Sequence, residues 1–416
     1  MLYADIIPSG ICHANIILLL RIDTNLFFYF RPAEGILLNI RLLCSKIHDK
    51  LNMIKAIHHK RLLQEFSMTI FLIFLMILSL TGLTVSPKGD LHPDYISRQN
   101  TMAVRGFFLF FVITRHFKEY VILGHPLDGP FLLLDQFLGQ GIVSIFLFYS
   151  GYGIFESVQK KGSSYVRSMP VKRLLLTWLH FMAAVLLYLI VGTLLGKTYS
   201  PGTILLAFFG WTSVGNSNWY VFAILCLYLV SWISFTLFPK QPQSALVSTL
   251  CLTVVYILVL HRLRPGQNWW YNTVLCYPAG MWFSMKKDKI RELFSGRSRT
   301  YLTCTFISIA AVISLRPFTR QLFLYELWSL HFSAMVIHLT KKFSLQNPIL
   351  CWMGERTFWI YILQRLPMML LQHLEMNRYP YLFFILVLAC IFPLAAVFDR
   401  FARYADRKLI KLLTPD

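Results

Sequence analysis

Charge is what this chain has least of. Only 14% of its 416 residues are Asp, Glu, Lys or Arg, against about 25% in a soluble globular domain. Acidic residues are the scarcer half: 19 Asp and Glu face 40 Lys and Arg, a net charge of +21. Long polar stretches are missing too, as are internal repeats and low-complexity tracts. The eight cysteines never form a CxxC pair. Most lie in apolar runs, as small packing residues do, so neither structural disulfides nor a metal site is expected. There is no GxSxG elbow, no HExxH and no P-loop, which argues against hydrolase and ATPase mechanisms.

What is there is apolar. Hydrophobic residues make up 56% of the chain, with 35 Phe, and they fall in separate runs near the ~20 residues a spanning helix needs. The clearest run is residues 66–86. Others are 102–122, 139–156, 173–195, 219–238, 245–260, 269–285, 301–315, 322–339, 357–372 and 380–398. Residues 204–211 are too short to cross and read as a re-entrant or interfacial piece. A strong positive charge can mean nucleic-acid binding. Here the basic residues sit in short segments between apolar runs, as the positive-inside rule expects of membrane loops. The expected partners therefore include membrane lipids and exclude nucleic acid. Loops 158–172, 239–244, 286–300 and 340–348, and the tail after Asp399, fall on one side and hold most of the Lys and Arg. That side should be cytoplasmic.

The expected fold class is all-α integral membrane, a bundle of about ten core transmembrane helices plus one extra N-terminal helix. Residues 1–65 form a poorly defined basic N-terminal region, 66–86 the extra transmembrane helix, and 96–416 the membrane domain. The first 52 residues lack a clean signal-peptide pattern. If the core begins inside, the 66–86 helix starts outside, yet Lys55, Lys60 and Arg61 before it belong inside. Its orientation stays open, as does a translation start at Met53.

Ionisable groups among membrane helices are costly and tend to mark function. Arg105 and His116 are eleven residues apart. On a helix that is three turns plus about 20°, so both share one face, separated by a rise of ~16 Å. His116 is then a candidate general base for a hydroxyl. Equally, the pair can be two interfacial anchors. Gly139, Gly141, Ser150, Gly151 and Gly153 allow close approach of a neighbouring helix or a ligand. The basic loop after them can hold an anionic cofactor or simply obey the positive-inside rule. Glu326, His331, Gln364 and Arg365 either line a cavity or bond between helices. Trp219 and Tyr220 fit an interfacial aromatic belt, and His180 is a further intramembrane histidine.

The order of these features resembles the acyltransferase-3 family from about residue 96 onward. Arg105-x10-His116 matches the motif that the family carries in its first core helix and needs for activity. FLFYSGYGIFE at 146–156 is similar to the family's "FFxLSGFL" stretch, and a basic segment from Arg167 to Arg173 follows it. The 219–228 segment resembles "WFLxALLxLY", and GERTFWIYILQRLP at 354–367 resembles "GxxSLxIYLxH". Two departures stand out. Gln364 replaces a common His, and the 219–228 segment lacks the acidic residue of many members. The resemblance implies a membrane O-acyltransferase in the cell (plasma or inner) membrane. It would move an acetyl or other short acyl group from acyl-CoA to a glycan or glycolipid hydroxyl, with no tightly bound cofactor. Catalysis would rest on His116 and Arg105. Coenzyme A would be held by Arg167, Lys172, Arg173, Ser150 and Gly151, and substrate by Trp219, Tyr228 and Glu326. A transporter or flippase of a lipid-linked sugar is the rival reading.

Overall fold

The computed structural model describes residues 68–413 except His125. The basic region 1–65 and Met53 lie outside the described residues. The described chain is nearly all helix, with one two-stranded antiparallel ribbon. Among the described residues, six helical stretches are long and apolar enough to cross a membrane: Gly141–Leu194, Trp219–Leu237, Pro242–Leu263, Ser298–Phe318, Leu322–Thr340 and Pro380–Leu413.

Their packing explains where the apolar surface goes. The Ser298–Phe318 window is only 11% buried, and Phe306 and Ile307 on it are 71% and 62% exposed. Side chains like these on the rim of a bundle need lipid, since water would leave a large unpaired apolar surface. The centre is different. Helix α2 (Arg98–Phe117) buries its run from Phe108 to Thr114 and is capped at its start by Ser97, whose hydroxyl accepts from the Asn100 amide.

Helix α1 (Met68–Leu80) is the short extra helix. It begins beside Asp128, whose carboxylate accepts from the Met68 amide at 2.8 Å. It ends beside Asn347, whose Nδ2 donates to the Leu78 carbonyl at 2.9 Å. Gly82, at φ 86°, then turns the chain into strand β1 (Leu83–Val85). The apolar run expected over 66–86 therefore stops being helical at Leu80. Strand β1 pairs with β2 (Phe343–Leu345), Leu83 opposite Leu345.

The segment read as a basic loop, 158–172, is helical. Helix α4 (Gly141–Met169) follows the short α3 (Gly129–Leu138) and is bent at Gly162, whose φ of 57° only glycine adopts easily. A π-helical turn at Pro170–Leu175 then feeds α5 (Leu176–Leu194). Proline cannot donate to the turn before it, which accounts for the widened turn. The short run at 204–211 forms only a two-turn helix, α6 (Pro201–Phe208). Helices α7 (Trp219–Leu237), α8 (Pro242–Leu263), α9 (Cys276–Phe294), α10 (Ser298–Leu315) and α11 (Leu322–Thr340) follow. The 357–372 run is broken into α13 (Thr357–Leu363) and α14 (Arg365–His373), preceded by α12 (Pro348–Glu355). Helix α15 (Pro380–Leu413) continues well past Asp399.

Two crossings fix the centre, and each uses a reciprocal pair of glycines. A Cβ on Gly106 of α2 would collide with the Leu350 carbonyl of α12, and one on Gly354 with the Met102 carbonyl. Gly151 of α4 meets the Tyr277 carbonyl of α9 in the same way, and Gly280 meets that of Phe148. Backbone-to-backbone approach of this kind is how membrane helices gain packing without a hydrophobic driving force.

Candidate functional site

The crossing of α2, α4 and α9 leaves a cavity of about 830 Å³ at the N-terminal end of α2. Arg98, Thr101 and Arg105 reach it from α2, Tyr149, Ser150, Glu156 and Lys160 from α4, Arg173 from the π turn, Tyr228 from α7, and Lys287 and Arg291 from α9. Cations outnumber carboxylates in this lining. Glu156 is already committed: it accepts from Ser284 at 2.7 Å and Lys287 at 2.5 Å, with Lys160 at 3.5 Å. Arg173 donates to the Tyr165 hydroxyl at 2.9 Å. Arg105 donates to the Thr101 carbonyl at 3.3 Å, and no carboxylate pairs with it among the described residues. Arg105 and Arg173, neither paired with a carboxylate among the described residues, give this half-open recess guanidinium groups that suit a phosphate-bearing ligand.

His116 sits at the other end of α2. Its Nδ1 lies 2.8 Å from Glu119 Oε1 and its Nε2 3.2 Å from Ser217 Oγ. A carboxylate only accepts, so the ring proton belongs on Nδ1 and Nε2 is left with a lone pair. The other Glu119 oxygen accepts from Arg365, which also donates to the Tyr120 hydroxyl at 3.3 Å. Burial alone would raise the Glu119 carboxyl. The hydrogen bond and charge of His116, together with Arg365, outweigh it and hold the carboxyl below the usual range.

A line of polar side chains joins the two ends. Ser150 and the Tyr220 hydroxyl are neighbours near Arg105. The Tyr220 ring lies 5.4 Å from that of Tyr361, and the Tyr361 hydroxyl is close to Ser217, the partner of His116. The Tyr149 hydroxyl, beside Arg105, and Gln364 Oε1 are buried with no hydrogen-bond partner among the described residues. Orphaned polar atoms in a membrane interior carry a desolvation cost that a bound ligand relieves.

The residues singled out in the sequence separate accordingly. Arg105, Ser150, Arg173 and Tyr228 share the cavity. Gly151 is spent on the approach of α9. Arg167 lines a different groove, with Trp232 and Pro239. Lys172 is exposed, projecting from a different side of the π turn than Arg173. Trp219 stacks edge-on against Tyr220 at 5.9 Å. Glu326 is 3% exposed and lies near the Val274 and Leu275 amides, apart from the cavity. His180 pairs with Asp406 at 2.8 Å, and His331 bonds its own helix at the Leu327 carbonyl. Sequence reading missed Glu119, Ser217, Tyr361, Lys160 and Lys287. Only Glu119 carried a local signal, lying three residues beyond His116 on one helical surface.

Several apolar helices of spanning length around a basic, polar-lined cavity describe a multi-pass membrane protein. The profile of the acyltransferase-3 family, described as an acyltransferase domain, matches residues 100–400, so the chain belongs to that family. No curated protein and no solved structure matches it significantly. The match begins within α2 and ends within α15 and therefore takes in both Arg105 and His116.

Proposed function

We propose that this protein is an O-acyltransferase moving an acetyl or other short acyl group from cytoplasmic acyl-CoA to a hydroxyl of a cell-surface or exported glycan. The chain would cross the cell membrane in ten core traverses, α12 to α14 together making one. Its basic end would lie in the cytoplasm. The observation that carries this reading is the polar line from Arg105 to His116 through Ser150, Tyr220, Tyr361 and Ser217, with the unpartnered Tyr149 hydroxyl beside its start.

In this reading the coenzyme A phosphates sit among Arg173, Lys160 and Lys287. Arg105 orients the donor. The thioester arm follows Ser150, Tyr220 and Tyr361 over the ~16 Å to His116. There the acceptor oxygen forms a C–O bond to the acyl carbon while Nε2 takes the hydroxyl proton. The C–S bond breaks, the sulfur leaves as thiolate, and the imidazolium returns the proton to it. Glu119 stabilises the imidazolium formed on the way.

The test uses purified protein in nanodiscs with radiolabelled acetyl-CoA and a crude glycan fraction. Wild type should transfer label and His116→Asn should lose at least ~100-fold of that rate. Wild-type rates in His116→Asn would remove the histidine from the mechanism. No binding of acetyl-CoA at all would favour a flippase.

A further inference from the structure

A second polar recess, of about 660 Å³, opens at the C-terminal end of α2 and shares no lining residue with the basic cavity. Its size is that of ordinary small-molecule sites, ~300–1,000 Å³. Arg115 and Lys118 face it, whereas His116 between them points elsewhere, at ~100° per residue. Asp135, 3% exposed, bonds Lys118 at 2.5 Å and lies 3.8 Å from Arg115. Arg316 enters from the end of α10, donating to the Phe137 carbonyl at 2.6 Å and to that of Gln136. Three cations and one carboxylate thus line this recess, and Arg115, half-exposed, is held only by a 3.8 Å approach to Asp135 and a 3.5 Å bond to its carbonyl.

The neutral lining is equally telling. Asn272, 6% exposed, leaves Oδ1 buried without a donor, and Gln140 leaves Oε1 in the same state. Both oxygens are acceptors with no donor among the described residues, a desolvation cost that a hydroxyl donor reaching them would offset. Trp269, 41% exposed, lines the same space. Acceptor amides, one aromatic side chain and surplus positive charge together describe a site for a polyhydroxylated anion. Arg115 is the chain neighbour of His116, so the recess and the imidazole lie at the same end of α2, on different faces of it.

We infer that this recess holds the acceptor, and that the acceptor is a sugar chain bearing an acidic unit. Its negative charge lies at Arg115 and Arg316, its ring against Trp269, and its hydroxyls donate to Asn272 and Gln140. The neighbouring unit presents its hydroxyl to His116. This rests on the acyl-transfer reading but specifies the substrate class, which the family alone does not.

Binding separates the two. The full chain in nanodiscs is titrated with a glucuronic-acid tetrasaccharide, a glucose tetrasaccharide, inorganic phosphate and, independently, acetyl-CoA. The acidic tetrasaccharide should bind at least ~tenfold tighter than the neutral one. Arg115→Gln and Trp269→Ala, both at half-exposed positions, should each weaken it about tenfold while leaving acetyl-CoA affinity unchanged. Equal binding of the neutral sugar, full displacement by inorganic phosphate (a bare phosphate or headgroup site), or wild-type affinity in both variants would overturn the inference. If wild type binds the acidic sugar through Arg115 but never acetyl-CoA, the recess stands and the acyl-transfer reading falls.

Discussion

Replacing Glu119 by Gln tests the arrangement around His116 without touching the imidazole. In the proposed mechanism Glu119 is a positioning residue: its carboxylate accepts from Nδ1 at 2.8 Å, and its other oxygen is held by Arg365. Gln keeps the shape but loses the charge, and it can turn its NH2 toward Nδ1, which favours the wrong tautomer. In a fully buried triad that change costs about 10⁴ in kcat. Here the Glu119 side chain is 46% exposed, so solvent screens the charge and softens the penalty. The expected loss is about 100-fold in kcat, or ~2.7 kcal/mol of barrier. KM for acetyl-CoA should not change, since the cavity proposed for the donor lies at the other end of α2. Because the carboxyl is held below its usual range, Glu119 stays ionised at neutral pH, and its stabilising effect is lost only as pH falls below about 4.5. Any limb of the wild-type rate profile near neutrality must therefore come from another group. The assay is steady-state transfer by purified protein in nanodiscs, with thermal unfolding to confirm that the variant folds. Wild-type kcat in both Glu119→Gln and Glu119→Ala would refute the positioning role.

Other consequences follow from the same geometry. Arg173→Gln and Lys287→Gln should each raise KM for acetyl-CoA about tenfold with little change in kcat, whereas Lys172→Gln and Arg167→Gln should stay near wild type; the reverse pattern in a KM series would relocate the donor site. Gly280→Leu should prevent α4 and α9 from meeting, because its Cβ falls on the Phe148 carbonyl; size-exclusion profiles in detergent should show loss of the folded species, and a stable variant would contradict the crossing. Lys341 is 2% exposed, over the Phe294 ring at 4.2 Å, and burial pushes its ammonium down to about 8. Between that value and the ordinary ~10.4 the unfolded chain binds the proton and the folded one does not, so stability should rise with pH across this window, by an upper bound of ~3 kcal/mol. Melting curves of wild type and Lys341→Met at about pH 8 and about pH 10 check this, and an identical pH trend in both would exclude Lys341.

The sequence by itself determined what depends on local periodicity and solvent preference. Apolar runs of spanning length decide membrane residence, because no water-exposed fold can bury them. The Arg105–His116 spacing is a property of one helix and needs no tertiary contact to be read. The family resemblance, carried by that spacing and by the Gly-rich run at 146–156, was equally open to view. Loop boundaries were less legible: 158–172 is polar enough for a loop but remains helical, bent only at Gly162.

Tertiary structure decided which neighbours share a site. Arg173 faces the cavity and Lys172 faces away, a choice set by the π turn after Pro170. Gly151 looked available to a ligand and is instead covered by Tyr277. Arg365 reaches Glu119 across 246 positions of chain, and Lys287 meets Glu156 across 131. Composition and spacing fix only the environment and orientation of a side chain on its own helix. Its partners across the bundle depend on the crossings of helices, and those are set by backbone contacts such as Gly106 against Leu350.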